Sequence, residues 1–544
     1  MKKKLLVSSL LCANLLFANT SDITLDWLKD KPRTYAKDFY IWQFLKQDIT
    51  PEDAISALGQ ARYVNNRLLF SYAKKLQHDE TTAVIQCMRA KANTLVNSNA
   101  DCIEVGLSVY KMTKLNSTQL NTVYETILNK YEDRANIIDV IRAPIPFTKL
   151  ISNSSDVFFD TFNECGSKFR TNYFNYKLPK KTLDRLLEDK RFNQTIKLIV
   201  TNTKLIQLQK SLLSIDDSSL NHLSSFLLAI NALKHDKYQT ALKYFDNAHK
   251  KAYYQFDKDK VNFWKYLATK NKFYFYAILD SWDVNIYSLY AKEFFNREIE
   301  KNIVYEVESN HSNLVSEVHD ISDPFFWIPI LNDLNNFDDN KVSKYEDMLI
   351  EEYTMPHLTF MYERYYNYRK SYFITPYNRY LDKYTPKRQS FIYAIGRQES
   401  RFIPSSISTA YAMGVMQIMP FLSKAIAKQL NENYDINDQL KPDVNLKYAN
   451  FHLNFLVPQM KHPLLVAYAY NGGIGFTRRM LRNGLFSKNS EFKQLEPFLS
   501  MELVPYNETR KYGKKVLANY YIYKNHLDKE NKVTLKSLFE TISQ

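Results

Sequence analysis

Glycine is scarce and unevenly placed in this chain of 544 residues. Of its 10 glycines, only Gly59, Gly106 and Gly166 precede Gly396. Turns in β-proteins often need glycine because it reaches positive φ without strain, so a turn-rich β-fold is a poor match to this sequence. The distribution predicts a mainly α protein of helices packed on helices, with a C-terminal third of different organisation.

Amphipathic helical segments recur from Asp22 to about Glu300. In one of them, apolar residues three or four positions apart form a single stripe: Leu223, Phe226, Leu227, Ile230 and Leu233. The next segment repeats the pattern with Ala241, Tyr244, Phe245 and Ala248. Such pairs are typical of an α-solenoid, a right-handed stack of helix pairs in which each pair packs on its neighbours. The many Tyr and Phe residues of this part are therefore expected to fill its core.

Prolines and the N-terminal leader divide the chain. Residues 1–18 have three lysines, a short apolar run and Ala18, the layout of a cleavable secretory signal peptide. We assign 19–320 to the α-superhelical domain and 321–371 to a helical linker region that contains Pro324 and Pro329. We assign 372–544 to a separate C-terminal domain, in which Thr385 and Pro386 form a helix start. A secreted protein with no later long apolar segment is expected in the periplasm without a membrane anchor.

Export makes a disulfide possible. Three cysteines follow the leader, and Cys87 and Cys102 flank a short polar stretch that could join two antiparallel helices. We predict a bond between Cys87 and Cys102 and a free Cys165; three buried thiols are the alternative. The ten histidines form no HExxH or comparable spacing, so neither a metal nor a cofactor is expected.

The formal net charge is +15, and its lysines and arginines are spread along the chain rather than grouped. A nucleic-acid-binding arm is therefore not indicated. In a secreted protein, a diffusely basic surface is better suited to attract an anionic polymer such as the cell wall.

Glu399 stands out because it lies on an apolar helix face. On the helix that begins at Pro386, it shares this face with Phe391, Ile395 and Phe402. Burial and the C-terminal end of the helix both disfavour the charged carboxylate and raise its pKa, which suits a general acid. Periodicity alone favours a different reading, a buried carboxylate paired with a neighbouring arginine. The next acidic residue is Glu432, so a second carboxylate would have to come from elsewhere in the fold.

Four motifs follow in order: GRQESRF, GVMQIMP, AYAYNGG and MELVPYNETRKY. Together they resemble the soluble lytic transglycosylases, periplasmic enzymes that cleave peptidoglycan. The resemblance covers the last ~170 residues and extends more weakly upstream. It implies an N-terminal superhelix shaped as a ring or horseshoe and a lysozyme-like, predominantly helical catalytic domain.

The resemblance also implies roles for individual residues. Glu399 would be the single catalytic acid and base, and the Tyr470 hydroxyl would assist near it. The residues expected to shape or line the glycan groove are Ser400, Ser408, Gly414, Met416, Gln417, Met419, Tyr470, Asn471, Glu502, Tyr506, Glu508 and Arg510. The sequence departs from the family pattern at Val415, at Gly472, which should loosen its turn, and at Gly513, where the family usually has valine.

The implied reaction breaks the bond between N-acetylmuramic acid and N-acetylglucosamine without water and leaves a 1,6-anhydro end. Two alternatives remain: a muramidase or chitinase-like hydrolase that uses Glu399 with a second acid such as Asp435 or Glu508, and a scaffold that binds glycan without cleaving it. Peptidoglycan strands are the expected partner. The superhelix could hold a strand, or dock to cell-wall synthesis or division proteins.

Overall fold

The computed structural model describes residues 23–76, 79–307, 320–334 and 339–542. The predicted signal peptide, residues 1–18, lies outside them. Regular structure in the described residues is helical except for two short strands, Ile303–Val304 and Ser371–Tyr372, which pair in parallel. None of the helices found in these ranges is both long and apolar enough to cross a bilayer. The prediction of a mainly α fold is confirmed.

Twenty-one helices make up the N-terminal part of the described chain, which we call the helical array. They are α1 (Leu25–Lys29), α2 (Tyr35–Phe44), α3 (Pro51–Leu58), α4 (Asn66–Leu76), α5 (Asp79–Arg89), α6 (Ala92–Leu95), α7 (Ala100–Gly106), α8 (Val109–Met112), α9 (Ser117–Ile127), α10 (Glu132–Arg142), α11 (Pro146–Ser152), α12 (Ser155–Glu164), α13 (Ser167–Tyr173), α14 (Lys180–Leu187), α15 (Phe192–Val200), α16 (Ile206–Ser211), α17 (His222–Lys234), α18 (Tyr238–Lys251), α19 (Gln255–Thr269), α20 (Phe273–Leu279) and α21 (Ile286–Phe294).

The remaining helices form a middle segment and a C-terminal region. The middle segment contains α22 (Ile328–Asp333), α23 (Asp339–Leu349) and α24 (Met355–Tyr365). The C-terminal region contains α25 (Asn378–Leu381), α26 (Pro386–Glu399), α27 (Pro420–Leu430), α28 (Pro442–Met460), α29 (Pro463–Gly472), α30 (Ile474–Arg482), α31 (Phe498–Leu503), α32 (Asn507–Leu527) and α33 (Leu535–Glu540). Short 3₁₀ helices cover Leu212–Ser214, Glu300–Asn302, Ile436–Leu440 and Lys493–Leu495.

Sequential helices of the array pack on one another as a solenoid requires. Helices α17 and α18 form one such pair. On α18 the predicted stripe of Ala241, Tyr244, Phe245 and Ala248 is buried, as expected of a helix with one face in the core. Helix α17 is instead buried on nearly all sides, because neighbours pack against more than one of its faces. The stripe read from the sequence therefore describes only part of its packing.

Cys87 of α5 and Cys102 of α7 form a disulfide, the pairing predicted from their spacing. Cys165 is free and buried. The predicted turn between the two helices contains the short helix α6. Gly106 of α7 permits a close approach here, because a Cβ atom at this position would lie 2.2 Å from the carbonyl oxygen of Cys87. The disulfide joins two helices that already pack tightly.

Both ends of the helical array contact the C-terminal region. At the N-terminal end, the Tyr411 hydroxyl donates to the carbonyl oxygen of Asp38 at 3.2 Å, and the Asn65 amide donates to the carbonyl oxygen of Thr409 at 2.9 Å. At the other end, the Tyr287 hydroxyl donates to Glu502 at 2.7 Å. The array and the C-terminal region therefore close into a ring.

The middle segment has an apolar cluster of its own. Trp327, Leu349 and Leu358 are among its buried residues, and Ile403 of the C-terminal region packs into the same cluster. This contact brings the segment close to the end of α26. Ile403 follows Glu399 by four positions, so the middle segment borders the candidate site.

Candidate active site

Glu399 is the last residue of α26. The side chain of the N-cap residue Thr385 accepts a hydrogen bond from the Arg388 backbone, and Pro386 occupies the first turn, as predicted. Phe391 and Ile395 are buried along the face that leads to Glu399. This packing holds the carboxyl group in place at the end of the helix.

The arginines on either side of Glu399 bind a different carboxylate. Arg397 contacts Glu363 of α24 at 2.6 Å, and Arg401 contacts the other oxygen of Glu363 at 2.9 Å. Glu363 is buried, and its two arginine partners hold its pKa below the usual range despite that burial. The alternative of a Glu399–arginine pair is therefore not what the structure shows.

The hydrogen-bond partner of Glu399 is Tyr512 of α32. Its hydroxyl donates to Oε1 of Glu399 at 2.7 Å. Burial raises the pKa of Tyr512 well above its usual value, so the hydroxyl keeps its proton and acts as the donor. The hydroxyl of Tyr470, which we expected to assist near Glu399, donates to the carbonyl oxygen of Met416 at 2.7 Å. Burial and the nearby charge of Glu399 raise the pKa of Tyr470 well above the usual value.

The pKa of Glu399 is raised to about 7. Burial is the largest cause because it disfavours the charged form; the hydrogen bond from Tyr512 lowers the pKa, and the nearby charge of Glu508 raises it. A carboxyl group with this pKa is partly protonated at neutral pH. It can donate a proton and take one back without a large free-energy cost for either transfer.

The loop after α26 is fixed from several sides. The Ser400 hydroxyl donates to the carbonyl oxygen of Val415 at 2.7 Å, and the Asn445 side chain accepts from the Met416 backbone at 2.7 Å. Gly414 has a φ of +79°, and a Cβ atom there would lie 2.1 Å from the carbonyl oxygen of Gln439. Glycine is required at this position by both conformation and space.

Several predicted groove residues have structural contacts instead of open surface. Ser408 accepts a hydrogen bond from the Ala412 backbone, and Met416 is fully buried. The Gln417 amide donates to the carbonyl oxygens of Ser406 and Gly414. Met419 is half-buried and caps the start of α27. Among these four, Gln417 lines the cavity that holds Glu399.

A second group of predicted residues lies where α29 meets the start of α32. The Asn471 side chain accepts from Thr509 at 2.7 Å and donates to Glu508 at 3.2 Å. Glu508 is exposed. Tyr506 is 57% exposed and stacks on Phe476, with ring centroids 4.7 Å apart, so one ring face remains accessible. Such a ring can cover one face of a sugar.

Glu502 and Arg510 are buried, and the structure does not place them on a groove surface. Glu502 forms an ion pair with Lys514 at 2.7 Å and accepts from Tyr287. Arg510 donates to the carbonyl oxygens of Glu502 and Val504. Both were expected to shape the groove, and their contacts in the structure are internal, because buried charges need partners within the protein. They connect α31, α32 and the helical array.

Two departures from the expected pattern have a packing explanation. A Cβ atom at Gly513 would lie 2.1 Å from the ring of Tyr468, so this glycine lets α29 and α32 approach closely. A Cβ atom at Gly472 would lie 2.8 Å from the ring of Phe476 and 3.1 Å from Thr509. Gly472 thus tightens the packing at the end of α29, where we expected a looser turn.

Glu399 faces a cavity of about 580 Å³ between the C-terminal region, the middle segment and the start of the array. Among the described residues lining this cavity, Glu399 supplies the one carboxylate, whereas the cations number five: Arg62, Arg364, Arg397, Arg401 and Lys515. Apolar walls come from Trp327, Ile328 and Ile403. Arg397 and Arg401 are paired with Glu363, so within the described chain the unpaired positive charge near the acid comes from Arg62, Arg364 and Lys515.

Comparison with known proteins bears on this geometry. Residues 377–493 match the family model described as the transglycosylase SLT domain. This part of the C-terminal region is therefore similar to that family. The match contains Glu399, the 406–419 loop and α29, whereas the Val504–Arg510 motif and Tyr512 lie after it. Tyr512 therefore lies on a helix outside the matched residues, although its side chain contacts Glu399 within them.

Relatives of the SLT domain carry consistent names. The putative soluble lytic murein transglycosylase of Haemophilus influenzae is 34% identical over 147 residues, which are 26% of this chain and 23% of that protein. The soluble lytic murein transglycosylase of Escherichia coli K12 is 32% identical over 155 residues, which are 27% of this chain and 23% of that protein. This chain thus spans about a quarter of the length of the curated relatives it matches.

A solved structure can be aligned over a longer stretch. The 70 kDa soluble lytic transglycosylase of Escherichia coli aligns with 94% of this chain and 84% of its own, at 16% identity and a TM-score of 0.47.

Several residues around Glu399 are not indicated as site residues by the sequence motifs. Tyr512 is not among the residues expected at the site, although its hydroxyl donates to Glu399. Glu363 lies outside the motifs, and nothing in its own segment marks it as the partner of Arg397 and Arg401. Tyr35 and Arg62 come from the start of the array and line the same cavity. The available signal that an acidic partner had to exist was the pair of arginines at the end of α26 and just after it, Arg397 and Arg401.

Proposed function

We propose that this protein is a lytic transglycosylase that cleaves peptidoglycan strands and leaves 1,6-anhydromuramic ends. The observation that carries the proposal is Glu399, a carboxyl group with a pKa of about 7 that faces a cavity in which no other described lining residue is acidic. One such group can serve as acid and then as base. The names of the SLT domain relatives support the same reaction.

The reaction proceeds in two stages at Glu399. Its proton passes to the glycosidic oxygen, the bond from that oxygen to the anomeric carbon breaks, and N-acetylglucosamine leaves with a free 4-hydroxyl. The N-acetyl oxygen of the muramic acid supplies an electron pair to the anomeric carbon. The C6 hydroxyl oxygen then displaces it, and the hydroxyl proton returns to Glu399. Atoms balance without water, and the enzyme is restored.

Tyr512 controls the charge state of Glu399 in this scheme. Its hydrogen bond stabilises the carboxylate that exists between the two stages, while burial favours the protonated form at the start. Gln417, which lines the same cavity as Glu399, and Tyr506, which is exposed, would contact sugar residues. The leader sequence supports export to the periplasm, where this polymer is found.

A hydrolase remains a second candidate because of Glu508. Its charge is close enough to Glu399 to raise the pKa of that carboxyl, so it could orient a water molecule as a second carboxylate does. Asp435, the other acid considered, caps the 3₁₀ helix at Ile436–Leu440 and does not line the cavity. The choice therefore lies between ring closure and hydrolysis with Glu508.

Mass analysis of products from purified cell-wall sacculi separates these functions. Ring closure gives muramic acid ends lighter by one water molecule than the reducing ends left by hydrolysis. We expect anhydro ends from the wild-type protein and from Glu508→Gln, and no products from Glu399→Gln. Reducing ends that disappear with Glu508→Gln would establish the hydrolase, and unchanged turnover by Glu399→Gln would reject both schemes.

A further inference from the structure

A second cavity of about 580 Å³ lies between the helical array and the C-terminal region. Its array side is formed by Tyr254, at the start of α19, and by Trp282 before α21. Its other side is formed by α26 and α32, with Lys511, Lys515 and Asn519. We call this the array cavity. Nothing in the proposed reaction uses it.

The array cavity adjoins the cavity of Glu399. The two share Arg397, Gln398, Arg401 and Lys515 as lining residues. Glu399 itself lines only the first of them. A polymer that lies across Glu399 could therefore continue past Gln398 into the array cavity without leaving the surface of the protein.

Four aromatic side chains with accessible surface border the array cavity. Tyr254 is 64% exposed and Tyr368 is 50% exposed, while Phe256 and Trp282 are half-buried. Aromatic side chains are costly to leave exposed on a protein surface, and their flat apolar faces match the faces of sugar rings. Four of them around one cavity indicate a saccharide ligand.

The array cavity has more cationic than acidic side chains in its lining. The ammonium groups of Lys511 and Lys515 have no hydrogen bond or ion pair within the described residues. Of the acidic lining residues, Asp257 is paired with Lys260 and Glu363 with Arg397 and Arg401, whereas Asp283 accepts from the Asn285 amide and its charge acts on Lys515. The lining nevertheless has five cations, Lys370, Arg397, Arg401, Lys511 and Lys515, against three carboxylates, so an incoming carboxylate would meet an excess of positive charge.

We propose that the array cavity is a second binding site for an acidic saccharide of the cell-wall polymer. The rings of Tyr254 and Trp282 cover sugar faces, and Lys511 and Lys515 bind a carboxylate, either the lactyl group of the sugar or one on its attached peptide. The site retains the strand while Glu399 acts on a neighbouring bond. The inference rests on the proposed function for the identity of the polymer.

Binding is measured with Glu399→Gln protein, so that no strand is cut during the experiment. Tyr254→Ala and Lys511→Ala are added separately, because both residues line the array cavity and neither lines the cavity of Glu399. We expect each change to weaken cosedimentation with purified sacculi about fivefold. Tyr238→Ala and Lys529→Ala, at exposed positions away from both cavities, are the matched controls and should bind as the parent does.

Turnover in the Glu399-containing protein provides the second measurement. On a fragment short enough to occupy only the cavity of Glu399, Tyr254→Ala and Lys511→Ala should cleave at the parental rate, whereas both variants should lose activity on long strands. Amidase-treated sacculi, which lack peptides, identify the carboxylate that Lys511 binds. If Lys511→Ala still weakens the activity on these sacculi, the carboxylate belongs to the sugar. If the effect of Lys511→Ala disappears, the carboxylate belongs to the peptide.

Two outcomes would overturn the inference: binding equal to that of the control variants, or an equal loss of activity on short and long substrates. Failure of the proposed function would look different. In that case the wild-type protein would give no anhydro ends, while Tyr254→Ala and Lys511→Ala would still weaken binding to sacculi.

Discussion

The hydroxyl of Tyr512 and the carboxyl of Glu399 are joined by a hydrogen bond of 2.7 Å between residues 113 positions apart. Helix α32, which carries Tyr512, packs along α26, which carries Glu399. The same helix carries Gly513 and Lys514, whose contacts hold it against α29 and the helical array. The charge state of Glu399 therefore depends on how α32 packs against α26.

Tyr512→Phe should raise the pKa of Glu399 further. The lost hydrogen bond favours the carboxylate, so its removal should move the pKa upward from about 7 by about one unit. The basic limb of the kcat/KM profile should then shift to higher pH, with a lower maximal rate because the carboxylate intermediate is less stable. Tyr520→Phe, at a buried position on the same helix, is the control. An unchanged profile would exclude Tyr512 from control of this group.

Glu399→Gln should stabilise the protein in a pH-dependent way. The folded pKa of about 7 exceeds the value in the unfolded chain, so the wild-type protein loses stability as the pH rises from the ordinary glutamate value through 7. The variant should gain about 3 kcal/mol in unfolding free energy at pH 8 and about 1 kcal/mol at pH 5. Denaturation at both pH values measures this, with Glu530→Gln at an exposed position as the control. Equal gains at both pH values would contradict the raised pKa.

Gly513→Val should destabilise the C-terminal region. The new Cβ atom would overlap the ring of Tyr468, and relief requires α29 and α32 to separate. A loss of about 3 kcal/mol is expected for such overpacking, measured as a lower denaturation midpoint. Adding Tyr468→Ala should recover part of it by making room. Gly475→Ala, where the nearest atom is the end of a flexible arginine, should have little effect.

Lys514→Met should weaken the attachment of the helical array. It leaves the Glu502 carboxylate buried without its cation, while Tyr287 remains as a hydrogen-bond donor. We expect a loss of about 4 kcal/mol in unfolding free energy. The double variant with Glu502→Gln should lose less, because no unpaired charge remains. A double variant as unstable as the sum of the two single changes would show that the pair is not coupled.

Local features of this protein could be predicted because they depend on residues close together in sequence. The start of α26 at Thr385 and Pro386, the stripe of α18 and the position of Glu399 on an apolar face all follow from helical periodicity and capping chemistry. The Cys87–Cys102 pair joins residues separated by 15 positions. The order of the motifs was enough to indicate a resemblance to the family whose model matches residues 377–493.

The partners of the charged groups could not be predicted. Periodicity placed Glu399 near Arg397 and Arg401, yet those arginines bind Glu363 and the carboxyl group binds Tyr512. The burial of Glu502 and Arg510 could not be predicted either, because the motif indicated only that they lie near a groove. Which charge meets which partner depends on how helices distant in sequence pack, and no local pattern contains that information.

The sequence by itself determined that this chain folds into helices, where its candidate acid stands and which residues surround it along the chain. Tertiary structure alone decided that Glu399 accepts a hydrogen bond from Tyr512 and that Arg397 and Arg401 pair with Glu363. It also decided that the ring closes and that the array cavity lies beside the cavity of Glu399. The physical reason is that helices form from contacts three and four residues apart, whereas burial, pKa and cavity shape arise from packing between helices.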